Sequence, residues 1–171
     1  MEIDDAGRVV DERIARTITC SKARLVYDDV NALFNGSEQQ ADAMAAVADT
    51  LRRMRVLAGK LRARRQAQGC IDFEIEEPGF VLDENGEPVE IITRERGEAE
   101  MMIEDFMLAA NECVARFARE NRLPLLYRVH ENPDAEKLAM FADFLDGIGV
   151  NAKGIRHNAA PGDARALLEQ L

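Results

Sequence analysis

The chain has little of what marks a protein for export, for a membrane or for a metal–thiolate centre. It contains three cysteines, Cys20, Cys70 and Cys113, in 171 residues. They lie far apart and form no C-x-x-C pair. That argues against a disulfide scaffold or a zinc site, and for reduced thiols in a cytoplasmic protein. No apolar run approaches the ~20 residues that a membrane span needs. The opening Met1-Glu2-Ile3-Asp4-Asp5 is acidic where a signal peptide is basic. There is no internal repeat and no low-complexity tract. Histidine is scarce: His130 has no nameable partner of the kind a general base requires, and His157 falls in a loop-like stretch. Ser21 and Ser37 lack the glycine context of a nucleophile elbow, which excludes a serine-hydrolase reading.

What is present is an ordinary globular composition, 47% hydrophobic and 32% charged. A chain of this length buries roughly 70% of its extended surface on folding, enough for a core. The net charge of −10 argues against generic nucleic-acid binding. Its distribution is uneven. Between Thr50 and Ile71 stand Arg52, Arg53, Arg55, Lys60, Arg62, Arg64 and Arg65 with no acid, a segment of +7 that leaves −17 for the rest of the −10 total. Such a stripe is either a solvated helix face or a surface that meets phosphate.

Asp4-Asp5-Ala6-Gly7 reads as a turn between two short strands, and Thr17 to Cys20 as a further strand. Tyr27 to Phe34 reads as a short helix stopped by Asn35-Gly36. Ser37, with Gln40 three residues on, is an N-cap for a long helix over Glu38 to Gln68. Its predicted stripe is Met44, Val47, Leu51, Met54, Leu57/Ala58 and Leu61, with Gly69 as the stop. Residues 71–95 read as a β-hairpin closed at Asn85-Gly86, a pair that readily takes positive φ at both positions. A second long helix spans Glu98 to Glu120, with Ile103, Phe106/Met107, Ala110, Cys113/Val114 and Phe117 along one stripe. Leu125 to Val129 reads as a buried strand. Asp134 caps a helix reaching Gly147, with Leu138, Phe141, Phe144 and Leu145 on its stripe. Gly154 to Pro161 is a loop, and Asp163 to Leu171 begins a last helix. The predicted class is α+β: mixed or antiparallel strands and a hairpin packed with three to four helices.

A few polar and aromatic residues admit two readings. Glu104 and Asn111 are seven apart on one helix face. Together they can bind a ribose hydroxyl or orient a metal-bound water, or Glu104 complements the helix dipole while Asn111 makes a structural hydrogen bond. Tyr27 is a half-buried packing residue or a positioning phenol. Phe73 is a core aromatic or a stacking platform.

Three elements bear on that choice. They are R-L-x-Y-D-x-V-N around Tyr27, F-x-x-x-x-P-x-x-x-L-D-E-x-G beginning at Phe73, and I-E-(E/D)-x-M-L-x-A-N around Glu104. Leu125-Leu126-Tyr127-Arg128-Val129-His130-Glu131-Asn132-Pro133 follows them. In this order and spacing they resemble the second half of the catalytic domain of RNase II/RNase R-type 3′→5′ exoribonucleases, over nearly the whole chain to about Gly149. The resemblance implies a single partial RNB domain over residues 1–171. It implies that Tyr27 fixes the final nucleotide, that Phe73 stacks on and clamps the last bases, and that Glu104 holds the terminal nucleotides at the active site with Asn111. It favours single-stranded RNA as partner, held weakly by this chain alone, and gives Arg62, Arg64 and Arg65 a phosphate to face. The second acid of the family's pair is Asp105 here, a mild departure. In the family, hydrolysis uses Mg²⁺ held by several Asp residues ahead of this segment, and metal activates the water. Asp4-Asp5 and Asp28-Asp29 match non-metal positions, so this chain alone is expected to hold no metal and to be inactive. Also absent are the later S-P-I-R-R-Y-type stretch and the flanking cold-shock and S1 barrels. Strand edges left uncovered in such a piece lead to self-association. A second reading is a stand-alone module that binds protein or RNA without catalysis.

Overall fold

In the computed structural model, residues 1–70, 77–94, 96–129, 134–150 and 152 are described. Helix α1, Tyr27–Phe34, starts where the backbone of Val26 is still extended, and carries Asp28 and Asp29 in its first turn, where carboxylates complement the dipole. Gly36, with φ +90°, ends it. Ser37 then caps α2, Glu38–Ala43, its Oγ accepting from the Gln40 amide at 3.4 Å. The single long helix expected here is broken at Met44, and α3 runs from Ala45 to Ala67. The break coincides with two contacts that bend the chain back over α1. Met44 is buried in the core, and Gln40 Nε2 donates to Asp29 Oδ1 at 3.0 Å.

Helix α4, Glu98–Glu120, lies along α3. Arg55 of α3 pairs with Glu98, and Arg62 and Arg65 further along pair with Asp105, so the two helices run parallel. The core forms where α1, α2 and α3 meet the start of α4. It comprises Val30, Leu33, Met44, Ala48, Leu51, Ala58, Ala99 and Met102, with Phe34, Met54, Ile103 and Phe106 packed against it. Helix α5, Ala135–Gly147, is capped by Asp134, whose Oδ1 accepts from the Glu136 and Lys137 amides at 2.8 and 3.2 Å. Its buried residues are Ala142 and Leu145; Phe141 and Phe144, expected on the buried stripe, are exposed. The loop and last helix expected after Gly154 lie outside the described residues.

Two antiparallel hairpins complete the α+β fold: β1, Glu2–Ile3, with β2, Val9–Asp11, and β3, Glu77–Leu82, with β4, Pro88–Arg94. Their turns are the same device used twice, a short repeat that the sequence reading misses. In Asp4-Asp5-Ala6-Gly7-Arg8 the Asp4 Oδ1 accepts from the Ala6 and Arg8 amides at 3.0 and 2.9 Å, and Gly7 takes φ +74°. In Asp83-Glu84-Asn85-Gly86-Glu87 the Asp83 Oδ1 accepts from the Asn85 and Glu87 amides at 2.8 and 2.9 Å, and Gly86 takes φ +86°. Asn85 does not share the positive φ expected of it. These are three-residue loops with a left-handed glycine at the end.

Backbone donation from Arg8 holds the Asp4 carboxyl below the ordinary value of 3.8, and donation from Glu87 and Asn85 does the same for Asp83. A depressed carboxyl stabilises the folded turn fully above the unfolded pKa, and that stability fades as pH falls through the lower folded pKa. Amide protection at Ala6, Arg8, Asn85 and Glu87 is therefore expected to hold from neutral pH down to about 3.8 and to fail only below it. Loss of protection already near pH ~6, well above the aspartate range, contradicts this.

Two expected strands are not strands. Thr17–Cys20 and Leu125–Val129 have no ladder, and Leu126 is 99% exposed where a buried strand was expected. Both runs have the residue types of a strand, but neither pairs with a described strand, and a ladder needs a partner.

Candidate nucleic-acid interface

The face of α4 directed at the core is turned by one residue from the predicted stripe. Ala99, Met102, Asp105, Cys113 and Ala118 are buried, whereas Met107 and Val114 are exposed. Asp105, 2% exposed, therefore occupies a core position. It follows Met102 by three residues, on the same row of the helix. Its Oδ2 accepts from Arg62 Nη2 at 2.6 Å and its Oδ1 from Arg65 Nη2 at 2.5 Å. Arg62 and Arg65 are three apart on α3, so one turn presents both guanidinium groups to one carboxylate. This is the principal finding the sequence reading misses: two of the arginines expected to face phosphate are engaged in joining α3 to α4. The available signal was an acid inside an apolar row, opposite a helix segment that carries no acid.

Arg64, the third, donates from Nη1 to the Gly7 carbonyl at 3.3 Å. It helps fasten the first hairpin to α3, as does Lys60, whose Nζ donates to Asp5 at 2.8 Å. On the α4 side Glu12 takes a bidentate grip from Arg116, at 3.0 Å from Nε and 2.6 Å from Nη2. That grip holds the Glu12 carboxyl below its usual range. Burial, and then the neighbouring Glu12, push the Cys113 thiol up. A cleft of about 260 Å³ remains between hairpin and helices, with Gly7, Leu61, Arg64, Arg65, Asp105 and Arg116 among its walls.

Glu104, next to Asp105, faces the other way. It is half-buried and accepts from Arg96 Nη1 at 2.9 Å. Asn111 is exposed two turns further on. Tyr27 is exposed in the first turn of α1. Phe73 lies outside the described residues. The helices carrying Tyr27 and Glu104 are joined directly: Asn31 of α1 bonds Ala99 and Glu100 of α4. Further along α1, the Phe34 carbonyl accepts from Arg55, which also pairs with Glu98. Asn31 and, through Arg55, Phe34 thus tie α1 to the first turn of α4. Tyr27 is one turn before Asn31 on α1, and Glu104 is one turn after Glu100 on α4.

Among the described residues no group of three or more His, Cys, Asp or Glu side chains converges as a metal centre. Asp4 and Asp83 hold turns, Asp5 pairs with Lys60 and Asp29 accepts from Gln40. Among the described residues these carboxylates are committed to partners within the protein and do not converge on one point. Nor, among the described residues, is any helix long and apolar enough to cross a membrane.

A family model described as RNB domain matches residues 1–171, and the chain is a member of that family. It is 41% identical over 154 residues to Ribonuclease R 1 of Lactococcus lactis, covering 90% of this chain and 19% of that protein. It is 38% identical over 172 residues to Ribonuclease R of Thermotoga maritima, covering 100% of this chain and 24% of that protein. Among solved structures it resembles the apo form of Mycoplasma genitalium RNase R, with TM-score 0.84 and 27% identity over 99% of this chain and 26% of that one. It also resembles Mycoplasma genitalium RNase R in complex with ribose methylated single-stranded RNA, with TM-score 0.71 and 27% identity over 84% of this chain and 22% of that one. The chain thus spans about a fifth to a quarter of the length of these relatives.

Proposed function

We propose that this chain supplies the substrate-holding side of a cytoplasmic 3′→5′ exoribonuclease that hydrolyses single-stranded RNA. The observation that supports this, beyond family membership, is the direct α1–α4 joint at Asn31, which ties the helix carrying Tyr27 to the helix carrying Glu104. Tyr27 offers a phenol and a ring at the helix start, and Phe73 a second ring; base–aromatic stacking is worth about 1–3 kcal/mol per base and tolerates any sequence. Glu104, half-buried and oriented by Arg96, is placed to accept from sugar hydroxyls. Asn111 extends the same helix towards the next nucleotide. Arg64 is the arginine assigned to phosphate, while Arg62 and Arg65 act through Asp105 by holding α4 in place. In a whole enzyme of this family a Mg²⁺ ion held by residues other than those described would supply the activation of water; the role assigned to the residues of this chain is to bind and orient the RNA. The apolar hairpin face of Phe80, Leu82, Val89 and Ile91 is exposed, and apolar faces of this kind associate with other copies. Light scattering reads that as a dimer mass, and a monomer mass argues against it.

The test is made in a full-length RNB enzyme carrying this segment. In Tyr27→Ala and Phe73→Ala the end product is expected to lengthen, because a short product loses a larger share of its contacts than a long RNA. In Glu104→Ala discrimination of RNA from DNA is expected to relax, since the 2′-OH is the group that separates them. If all three leave product length and sugar preference unchanged, the assignment of roles is wrong.

A further inference from the structure

We infer that Asn31 is a positioning residue that sets how the helix of Tyr27 meets the helix of Glu104; its effect on RNA rests on the function proposed above, its effect on the helices does not. The residue at the N-cap of α4 is Gly97, which has no side chain and makes no cap bond. The cap comes instead from another helix. Asn31 Oδ1 accepts from the Ala99 amide at 2.8 Å, the bond an N-cap side chain ordinarily makes with the second residue of its own helix. Asn31 Nδ2 donates to Glu100 Oε2 at 2.9 Å, so it also holds the acid that in a capping box reaches back to the cap. Both ends of one amide are used, and both bonds cross from α1 to α4. Gly97 is there for room and not for its backbone angle: φ is −80°, open to any residue, but a Cβ would overlap the Asn31 carboxamide. A cap borrowed from a neighbouring helix fixes rotation and register together. Asn31 is the last residue of the Tyr27 element and has no part in the roles given to that element above.

The experiment uses the purified chain with Asn31→Ala, Gly97→Ala, the double variant, and Asn31→Asp, which keeps the acceptor for the Ala99 amide. Three readouts separate the possibilities. First, the two single substitutions are expected to be less than additive in stability, because the methyl added at position 97 meets no carboxamide once Asn31 is gone; additivity overturns the direct contact. Second, spin labels are placed at Asp28→Cys on α1 and Met107→Cys on α4, with Cys20 and Cys70 replaced by Ser. The distance distribution is expected to shift or broaden in Asn31→Ala, and to return towards the parent in Asn31→Asp only when Glu100→Gln is added, since an aspartate still accepts from the Ala99 amide but repels the Glu100 carboxylate. An unchanged distribution in a folded variant overturns the positioning role. Third, the affinity ratio for a short oligoribonucleotide over its deoxy counterpart is expected to fall several-fold in Asn31→Ala. A parent chain that shows no preference for ribose counts against the proposed function, while the first two readouts still decide the role of Asn31. A ratio unmoved while the label distance shifts overturns the link from helix position to RNA.

Discussion

Asp105→Ala is expected to destabilise the protein by about 3–5 kcal/mol, the cost of removing one partner from a buried ion pair. The magnitude follows from what is left behind. Asp105 is 2% exposed and both its oxygens are occupied by guanidinium groups. Without it, two cations at the α3–α4 interface face each other, and their mutual repulsion adds to the desolvation already incurred. Arg65 also has buried Nε and Nη1 atoms with no hydrogen-bond partner among the described residues, so the carboxylate is what keeps its charge in place. The side chains of Arg62 and Arg65 are 23% and 21% exposed, which lets water moderate the loss towards the lower end of the range. Glu104→Ala, one residue earlier, is expected to cost under about 1 kcal/mol, because its pair with Arg96 is partly open to solvent. Denaturant midpoints with an unchanged slope measure both. If the two variants are equally stable, the triad does not join the helices.

Gly7→Ala is expected to be the second large loss, and Gly86→Ala is its control. The two glycines occupy the same turn at φ +74° and +86°. Left-handed backbone costs a residue with a Cβ about 1–2 kcal/mol, and both variants incur that cost. They differ in surroundings. A Cβ at Gly86 meets nothing within 4 Å, whereas one at Gly7 lies 2.7 Å from the Lys60 carbonyl oxygen. That oxygen belongs to the backbone of α3 and cannot move aside as a side chain can. Overpacking adds about 1–3 kcal/mol, giving a total of about 2–5 kcal/mol for Gly7→Ala against about 1–2 for Gly86→Ala. Thermal midpoints should separate the pair clearly. Equal shifts mean that the first hairpin does not press on α3.

Helices with their own end signals were legible in the sequence. Tyr27–Phe34 and Glu98–Glu120 fall where the Asn-Gly stop and the apolar period put them, and Ser37 and Asp134 cap as their residue types predict. The Asp83–Glu87 turn was legible too, although only its glycine carries positive φ. What escaped depends on partners distant in sequence. Thr17–Cys20 and Leu125–Val129 read as strands because residue type reports a preference and not a neighbour. The break at Met44 follows from packing on α1, which no local pattern encodes. Asp105 was hidden because a search for apolar period passes over an acid, and the arginines that neutralise it lie about forty positions earlier. Asn31 was hidden for the same reason: a cap is sought next to the helix it caps, and this one is donated across 68 residues. Tyr27 and Glu104 are proposed from the family elements alone, whereas the Asn31 joint between their helices needed the structure.

The central claim is that this chain holds RNA and does not itself break it. The most direct measurement incubates the purified chain with 5′-labelled single-stranded RNA and Mg²⁺ or Mn²⁺, following both retention and product length over a range of salt. Retention is expected to be weak and to fall steeply with salt, as counterion release requires, with no shortening of the RNA. Progressive loss of nucleotides from the 3′ end that survives rigorous purification and disappears in Glu104→Ala would contradict the account.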